Sequence, residues 1–246
     1  MCPLTLGDSS GKDPVEFAEL VELLAARPQP ALIYYDGSAA PDDPTARIEL
    51  SGRVLANWAT KLIGLLADEH DLSAGEAVLI DMVPHWKAAA LALAAGALGA
   101  DVHLAGGDPD KTQTAQVLVA SDRPMAWVAG DGLADAELAA VSLGMLDDSF
   151  HEATGQEIPA WVTDVSAEAR QYPDHLLTPL PAAALPPLTS RSTNQALLLR
   201  QWGSESFTQM LGTWAAGGVV VLFHGPEGGE SWDRMLRNEG ISLQSP

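Results

Sequence analysis

The sequence predicts an α/β fold, a mostly parallel sheet flanked by helices, and three observations carry that prediction. Between Ile48 and Gly107 a strand-like lead-in, an amphipathic helical stretch, the apolar run Ala77–Met82, an Ala-rich helical stretch and a short strand at Asp101–Ala105 follow one another. This strand–helix–strand–helix–strand rhythm belongs to parallel sheets, whose crossovers need helices. Apolar residues make up 47% of the 246 and charged residues only 19%, a globular composition. Far along the chain, Gly218–Phe223 adds another apolar, β-branched strand.

Taken in order, residues 1–13 are polar and contain Gly and Ser, as a loose tail does. Pro14 suits a first helical turn with Asp13 as its N-cap. Phe17, Leu20, Val21 and Leu24 recur at helical spacing, so a helix is expected over 14–26. After the break at Pro28 and Pro30, Ala31–Tyr35 and Ala46–Leu50 read as strands joined by the turn-rich Asp36–Thr45. Ser51 stands where it caps the next helix, with Val54, Leu55, Trp58, Leu62, Leu65 and Leu66 as its buried stripe. Pro84 cannot occupy a helix interior, so the following helix is expected to begin at His85. The small residues of Ala88–Ala95 predict close helix–sheet packing, which also gives Gly96 and Gly99 a place.

Beyond Gly106-Gly107, Gln116–Ala120 and Met125–Ala129 read as short strands and Ala134–Ser142 as a helix. Residues 145–187 are rich in proline and poor in periodicity, an irregular connection with one or two short elements. Ser192–Gln201 and Ser206–Ala215 read as helices, Trp232–Glu239 as the last helix and Ile241–Leu243 as a terminal strand. The expected organisation is a flexible tail at 1–13, an α/β core at 14–144, the connection at 145–187, and a second α/β portion at 188–246 on the same or an adjacent sheet.

Thirteen Lys and Arg against 33 Asp and Glu give a formal net charge of −20. Such a field repels phosphate backbones and anionic lipid surfaces, so neither nucleic acid nor a membrane is expected as partner. The carboxylates are scattered, which reads as general acidity rather than a docking surface. A single cysteine, Cys2, permits no intramolecular disulfide and no Cys-based metal cluster. No signal-peptide pattern opens the chain, and Ala88–Ala100 is too short to span a bilayer. A cytoplasmic protein is expected.

Four stretches carry a family resemblance. Leu50–Leu66 stands where a "TY-x-EL" helix is usual, and Gly75-Glu76-Ala77-Val78-Leu79-Ile80-Asp81-Met82-Val83-Pro84 matches "GD-x-V-a-i-x-l-p-n". Gly99-Ala100-Asp101-Val102-His103-Leu104 matches the end of the Ala-rich helix that follows. Phe207–Phe223 (FTQMLGTWAAGGVVVLF) is similar to a later helix leading into "L-x-x-G-x-x-x-V-L". The chain thus resembles the N-terminal part of the adenylate-forming superfamily: acyl-CoA synthetases, peptide-synthetase adenylation domains and luciferases.

The resemblance implies ATP chemistry, but this sequence departs from the pattern. Family enzymes cradle ATP phosphates with a T-S-G-S-T-G-x-P-K-G loop, whose glycines let backbone N–H groups approach and whose lysine offsets charge. The nearest stretch here is Thr189-Ser190-Arg191-Ser192-Thr193-Asn194-Gln195, with neither glycine and no Pro-Lys-Gly after it. It reads as the polar N-cap of the next helix, with a vestigial phosphate loop at Thr189, Ser190, Ser192 and Thr193 as the alternative. The resemblance also places the adenine and ribose contacts, the hinge and the lysine-bearing lid beyond Pro246. A truncated, non-catalytic relative is expected, with no cofactor and neither ATP nor AMP held.

No catalytic residue is expected. The six histidines form no H-x-x-x-H or H-E-x-x-H pair, so no metal site is predicted. Ser142, Ser190 and Ser206 lack a G-x-S-x-G elbow, and Cys2 has no ordered base beside it. Ligands in α/β folds gather at the carboxyl edge of the sheet, which singles out His85, His103, Gly106, Gly107 and His224 as ligand-binding candidates. The seven tryptophans read as core and interface anchors. Three functions compete: a non-catalytic binding or interaction module, a small-molecule binding protein or enzyme with a site at that edge, and a subunit completing a separate polypeptide. In the parent fold this half packs on a second subdomain, so a homodimer or a protein partner is expected to cover it.

Overall fold

A computed structural model describes residues 13–40, 43–106, 117–145, 147–188 and 196–242. In chain order the elements are α1 (Phe17–Ala25), β1 (Pro30–Asp36), β2 (Arg47–Ser51), α2 (Gly52–Glu69), β3 (Ala77–Asp81), α3 (Trp86–Ala97) and β4 (Asp101–Ala105). Then come β5 (Leu118–Ser121), α4 (Pro124–Ala129), β6 (Glu137–Ala140), α5 (Phe150–Thr154), β7 (Thr163–Asp164) and α6 (Val165–Glu168). The last are β8 (Leu197–Leu199), α7 (Ser206–Ala215), β9 (Val220–His224) and α8 (Glu230–Asn238).

These strands form two sheets. One has the order β2-β1-β9-β8 and the other β4-β3-β5-β6-β7. The second is parallel throughout, while the first joins an antiparallel β1–β2 hairpin to parallel β1–β9 and β8–β9 pairs. The strand-like lead-in before α2 therefore belongs to a different sheet from β3 and β4.

The main core lies between the sheets. It joins Leu32, Tyr34, Val220 and Leu222 of one sheet to Val78, Ile80, Leu118 and Ala120 of the other, through α1, α2, α3 and α7. α8 covers the far face of the first sheet through Trp232 and Met235 against Ile33 and Phe223. α4 and α5 cover the far face of the second, where Trp127 and Phe150 pack on Leu79 and Val119. The result is a helix–sheet–helix–sheet–helix stack.

α3 shows why the sequence is so rich in alanine here. Every residue from Trp86 to Ala97 is buried, because the helix touches β1 on one side and β3 and β4 on the other. A helix enclosed on all sides presents no polar stripe, and only small side chains let it fit between two layers. Gly96 is required there, since a Cβ would sit 2.6 Å from the Phe17 ring.

Several expectations are corrected. α1 starts at Phe17, not at Pro14, because residues 15 and 16 lie extended in a bridge between Glu16 and Ala184. Its N-cap is Glu16, not Asp13, with Glu19 reaching back to the Val15 and Glu16 amides. Ser51 does cap α2, accepting from the Val54 amide at 3.2 Å, but Val54 is exposed and Ala59 and Ile63 complete the buried stripe. Met125–Ala129 is helix, not strand, since Pro124 presets the first-turn φ and Trp127 swings onto the sheet.

Ala134–Ser142 holds the strand β6 rather than a helix. The helical preference of Ala, Glu and Leu yields to parallel pairing with β5 and β7, which buries Leu138, Ala139 and Ala140 between layers. Ser192–Gln201 is likewise not helical where described, for Leu197–Leu199 pairs with Val220–Leu222. Ile241 and Ser242 form no strand, and Leu243 lies outside the described residues. Among those residues no helix is long and apolar enough to cross a membrane.

Candidate ligand-binding site

The carboxyl ends of β3 and β4 in one sheet and of β8 and β9 in the other converge on a cavity of about 640 Å3. β3 leads into Val83 and Pro84, β4 contributes His103 and runs into Gly106, β8 runs into Arg200, Gln201 and Trp202, and β9 closes on His224. Its volume lies within the range of small-molecule sites.

Each wall is fixed by short interactions. Trp202 Nε1 donates to the Met82 carbonyl at 2.7 Å, which ties the end of β8 to the end of β3 across the two sheets. The Ser206 hydroxyl accepts from the Gly203 amide at 2.8 Å, turning the chain from Trp202 into α7. The His224 carbonyl accepts from the Gly37 amide at 2.6 Å. Gly225 follows at a φ of 141°, with Gly37 so close that a Cβ would lie 2.9 Å from its Cα. Arg200 pairs with Glu227 and lies 5.6 Å from the centre of the Trp232 ring.

The composition of this lining differs from that of the chain. Against a formal net charge of −20, the described walls contain one arginine, two histidines and no carboxylate. The Nε2 of His103 is buried without a hydrogen-bond partner among the described residues. Among the described residues the walls hold no Ser, Thr, Cys or Lys, and those residues offer polar and aromatic contacts.

The predicted ligand residues separate. His103, Gly106 and His224 meet at the cavity, and Gly107, Thr189, Ser190, Ser192 and Thr193 lie outside the described residues. His85 is not on the wall. It is fully buried as the N-cap of α3, its Nδ1 accepting from the Lys87 amide at 3.2 Å and its ring edge-on to Tyr34 with 4.5 Å between centres. Burial, with Lys87 and His224 adding to it, holds the imidazole well below its usual range and so neutral. Arg200, Gln201 and Trp202 escape sequence reading. Their signal is the Leu-Leu-Leu run before them, which, read as a strand, puts Arg-Gln-Trp at a carboxyl edge.

A second polar cluster lies at the same edge of the all-parallel sheet. Lys87 reaches from α3 to the Ser142 carbonyl at 2.7 Å, the Ser142 hydroxyl at 3.2 Å and the Ser166 hydroxyl at 3.3 Å. The two hydroxyls are 2.5 Å apart. Burial lowers the ammonium to about 8, with Asp147 opposing it. The adjoining void measures about 10 Å3, room for one water and no substrate. Where the strand order reverses between β3 and β5, the Asp81 carboxylate fills the crevice, held by Arg123 at 3.2 Å and Trp127 Nε1 at 3.0 Å. Burial raises Asp122 beside it. Among the described residues no three His, Cys, Asp or Glu converge as metal ligands would.

No family model matches the chain. A curated Mycobacterium tuberculosis protein, named only as a "TIGR03089 family protein", is 35% identical over 173 residues, covering 68% of this chain and 63% of its own length. A Brucella canis acyl-CoA synthetase superposes with a TM-score of 0.70 at 14% identity over 95% of this chain and 48% of its own. The A-PCP didomain of a Segniliparus rugosus carboxylic acid reductase, in complex with AMP, does so with 0.60 at 15% over 94% and 41%. The chain thus spans less than two thirds of the curated relative and about half or less of these solved structures. Its fold is that of the α/β subdomains of adenylate-forming enzymes.

Proposed function

We propose that the chain is a non-catalytic binding module that holds a small anionic molecule, an acyl or aryl carboxylate or a nucleotide fragment, in the cavity at the carboxyl edge. One observation carries this reading. A chain of net charge −20 keeps carboxylates out of the described lining of this cavity and sets Arg200, His103 and His224 around it. A guanidinium and ring N–H donors around a recess without carboxylates in its described lining favour an anion. The likeness to a fold that holds AMP in the carboxylic acid reductase supports the same class of ligand.

The absence of catalysis rests on the sequence at Thr189–Gln195, where the glycines and lysine of a phosphate cradle are missing. The test pairs two measurements. Thermal shift with millimolar AMP, ATP and benzoate is expected to raise the melting temperature for at least one anion, since ligand at about 100 times its dissociation constant adds roughly 2.7 kcal/mol. ATP–pyrophosphate exchange is expected to stay at background. No shift with any anion sinks the binding reading, and exchange above background sinks the non-catalytic one.

A second reading, self-association or docking on a partner polypeptide, is supported by Trp161, which is 57% exposed. Large aromatic side chains left in water favour interfaces. A monomeric sedimentation profile at micromolar concentration argues against the homodimer.

A further inference from the structure

We propose a second, separate ligand site: an apolar cavity beneath the strap formed by residues 172–185, which takes one neutral apolar small molecule. The cavity measures about 400 Å3. Its floor is Ile63 and Ala67 of α2 with Leu72 and Leu98, and its roof is the strap, including Tyr172 and Leu180.

The strap is pinned at both ends. At one end Lys61 Nζ donates to the Tyr172 carbonyl, and the Tyr172 hydroxyl donates to Glu69 at 3.1 Å. At the other, the Phe17 amide donates to the Ala183 carbonyl and the Leu185 amide to the Val15 carbonyl, both at 2.9 Å. Between the anchors Pro173, Pro179 and Pro181 fix φ at three positions. A roof held at both ends and stiffened by proline does not settle onto its floor, so the space persists.

The helix below is cut to fit. Gly64 sits in the interior of α2, where glycine costs about 1 kcal/mol relative to alanine. A Cβ at that position would lie 2.5 Å from the Tyr172 ring, so the glycine seats the wall of the cavity.

The lining selects the ligand. Its polar members are Asp68, His175, Thr60, Ser73 and Thr178, with no Lys or Arg, so a carboxylate or phosphate headgroup finds no fixed cation there. Lys61, the nearby cation, already serves the Tyr172 carbonyl. Apolar walls wetted by water favour release of that water to an apolar occupant. The volume suits a molecule of on the order of fifteen to twenty non-hydrogen atoms, an alkyl alcohol or a fused aromatic. Leu177, 73% exposed in the strap, leaves apolar surface at the opening.

The experiment is a fluorescence titration with N-phenyl-1-naphthylamine, a neutral apolar probe of this size. Saturable one-to-one enhancement is expected, weakened at least tenfold in Ala67→Trp and in Ile63→Trp, and displaced by decanol at least fivefold better than by decanoate. Ala67 is only half-buried, so Ala67→Trp keeps the test valid where Ile63→Trp does not fold. Absence of saturable binding overturns the proposal, as does unchanged affinity in folded Ala67→Trp. Loss of the signal in Arg200→Ala instead places the probe in the other cavity and overturns it too. Displacement led by decanoate overturns the neutral ligand class.

Discussion

Lys87 and Arg200 both follow strands at their carboxyl ends, Lys87 just beyond β3 and Arg200 just beyond β8, yet their surroundings are opposite. Lys87 is 7% exposed and spends its ammonium on three oxygens of Ser142 and Ser166. Arg200 keeps 38% of its side chain exposed, has one carboxylate partner and borders a cavity of about 640 Å3. The difference separates architecture from function. A buried cation satisfied by internal acceptors fixes how the layers join, here α3 to the ends of β6 and β7. A cation beside open space has interactions left for a ligand.

The largest expected effect tests the first half of that contrast. Lys87→Ala takes the donor from the Ser142 carbonyl, leaves the Ser142 and Ser166 hydroxyls only each other, and opens a gap beside Trp86, whose ring the ammonium approaches to 5.6 Å. Unsatisfied buried groups cost about 1–3 kcal/mol each, and relief of the buried charge offsets part of it. A net loss of about 2–3 kcal/mol in urea unfolding is expected. A loss below about 1 kcal/mol means that the lysine does not hold the layers together.

The same residue sets a pH dependence. Its folded pKa, about 8, lies below the unfolded value of 10.5, so between these the unfolded chain binds more protons and stability rises with pH. The slope is at most roughly 1.4 kcal/mol per pH unit from pH 8 to 10. Above pH 10 the trend reverses, because burial raises the Tyr34 hydroxyl and that tyrosine ionises first in the unfolded chain. Urea midpoints in Lys87→Met are expected to lose the rise between pH 8 and 10, and a rise that persists assigns it to another group.

Arg200→Ala and His224→Ala test the second half. Both side chains are partly exposed, so unfolding free energies are expected to move by less than about 1 kcal/mol. Binding of whichever anion raises the melting temperature is expected to weaken tenfold or more, by titration calorimetry. Unchanged affinity in both variants removes the cavity as the anion site.

The two halves of this contrast were not equally visible in the sequence. Helix α2 is legible because Ser51 and the Leu55–Leu62–Leu66 spacing act locally, and α3 because Pro84 ends what precedes it. Met125–Ala129 differs from expectation through the local effect of Pro124, whereas Ala134–Ser142 and Ser192–Gln201 differ because short segments take their state from partners far along the chain. β6 is a strand only through β5 and β7, and β8 only through β9. The cavity inherits that problem. His103, Gly106 and His224 were identified by the carboxyl-edge rule, but Arg200–Trp202 join them only once β8 pairs with β9. Lys87, Ser142 and Ser166 are separated by 55 and 79 residues from lysine to each serine, and nothing local links them.

The smallest expected effect concerns Glu227, the partner that partly neutralises Arg200. The pair is open to water, with 59% of the Glu227 side chain exposed, and such pairs contribute little to stability, about 0–1 kcal/mol. Glu227→Gln is therefore expected to leave the urea midpoint nearly unchanged. It also removes the carboxylate that competes with an incoming anion for the guanidinium, while the neighbouring Trp232 ring still positions the arginine. Affinity for the anion is expected to rise two- to fivefold, with the gain shrinking as salt increases because the added attraction is screened. A gain that ignores salt points to altered packing rather than charge. A loss of affinity means that Glu227 orients Arg200 for the ligand, which would place this carboxylate inside the site rather than in competition with it.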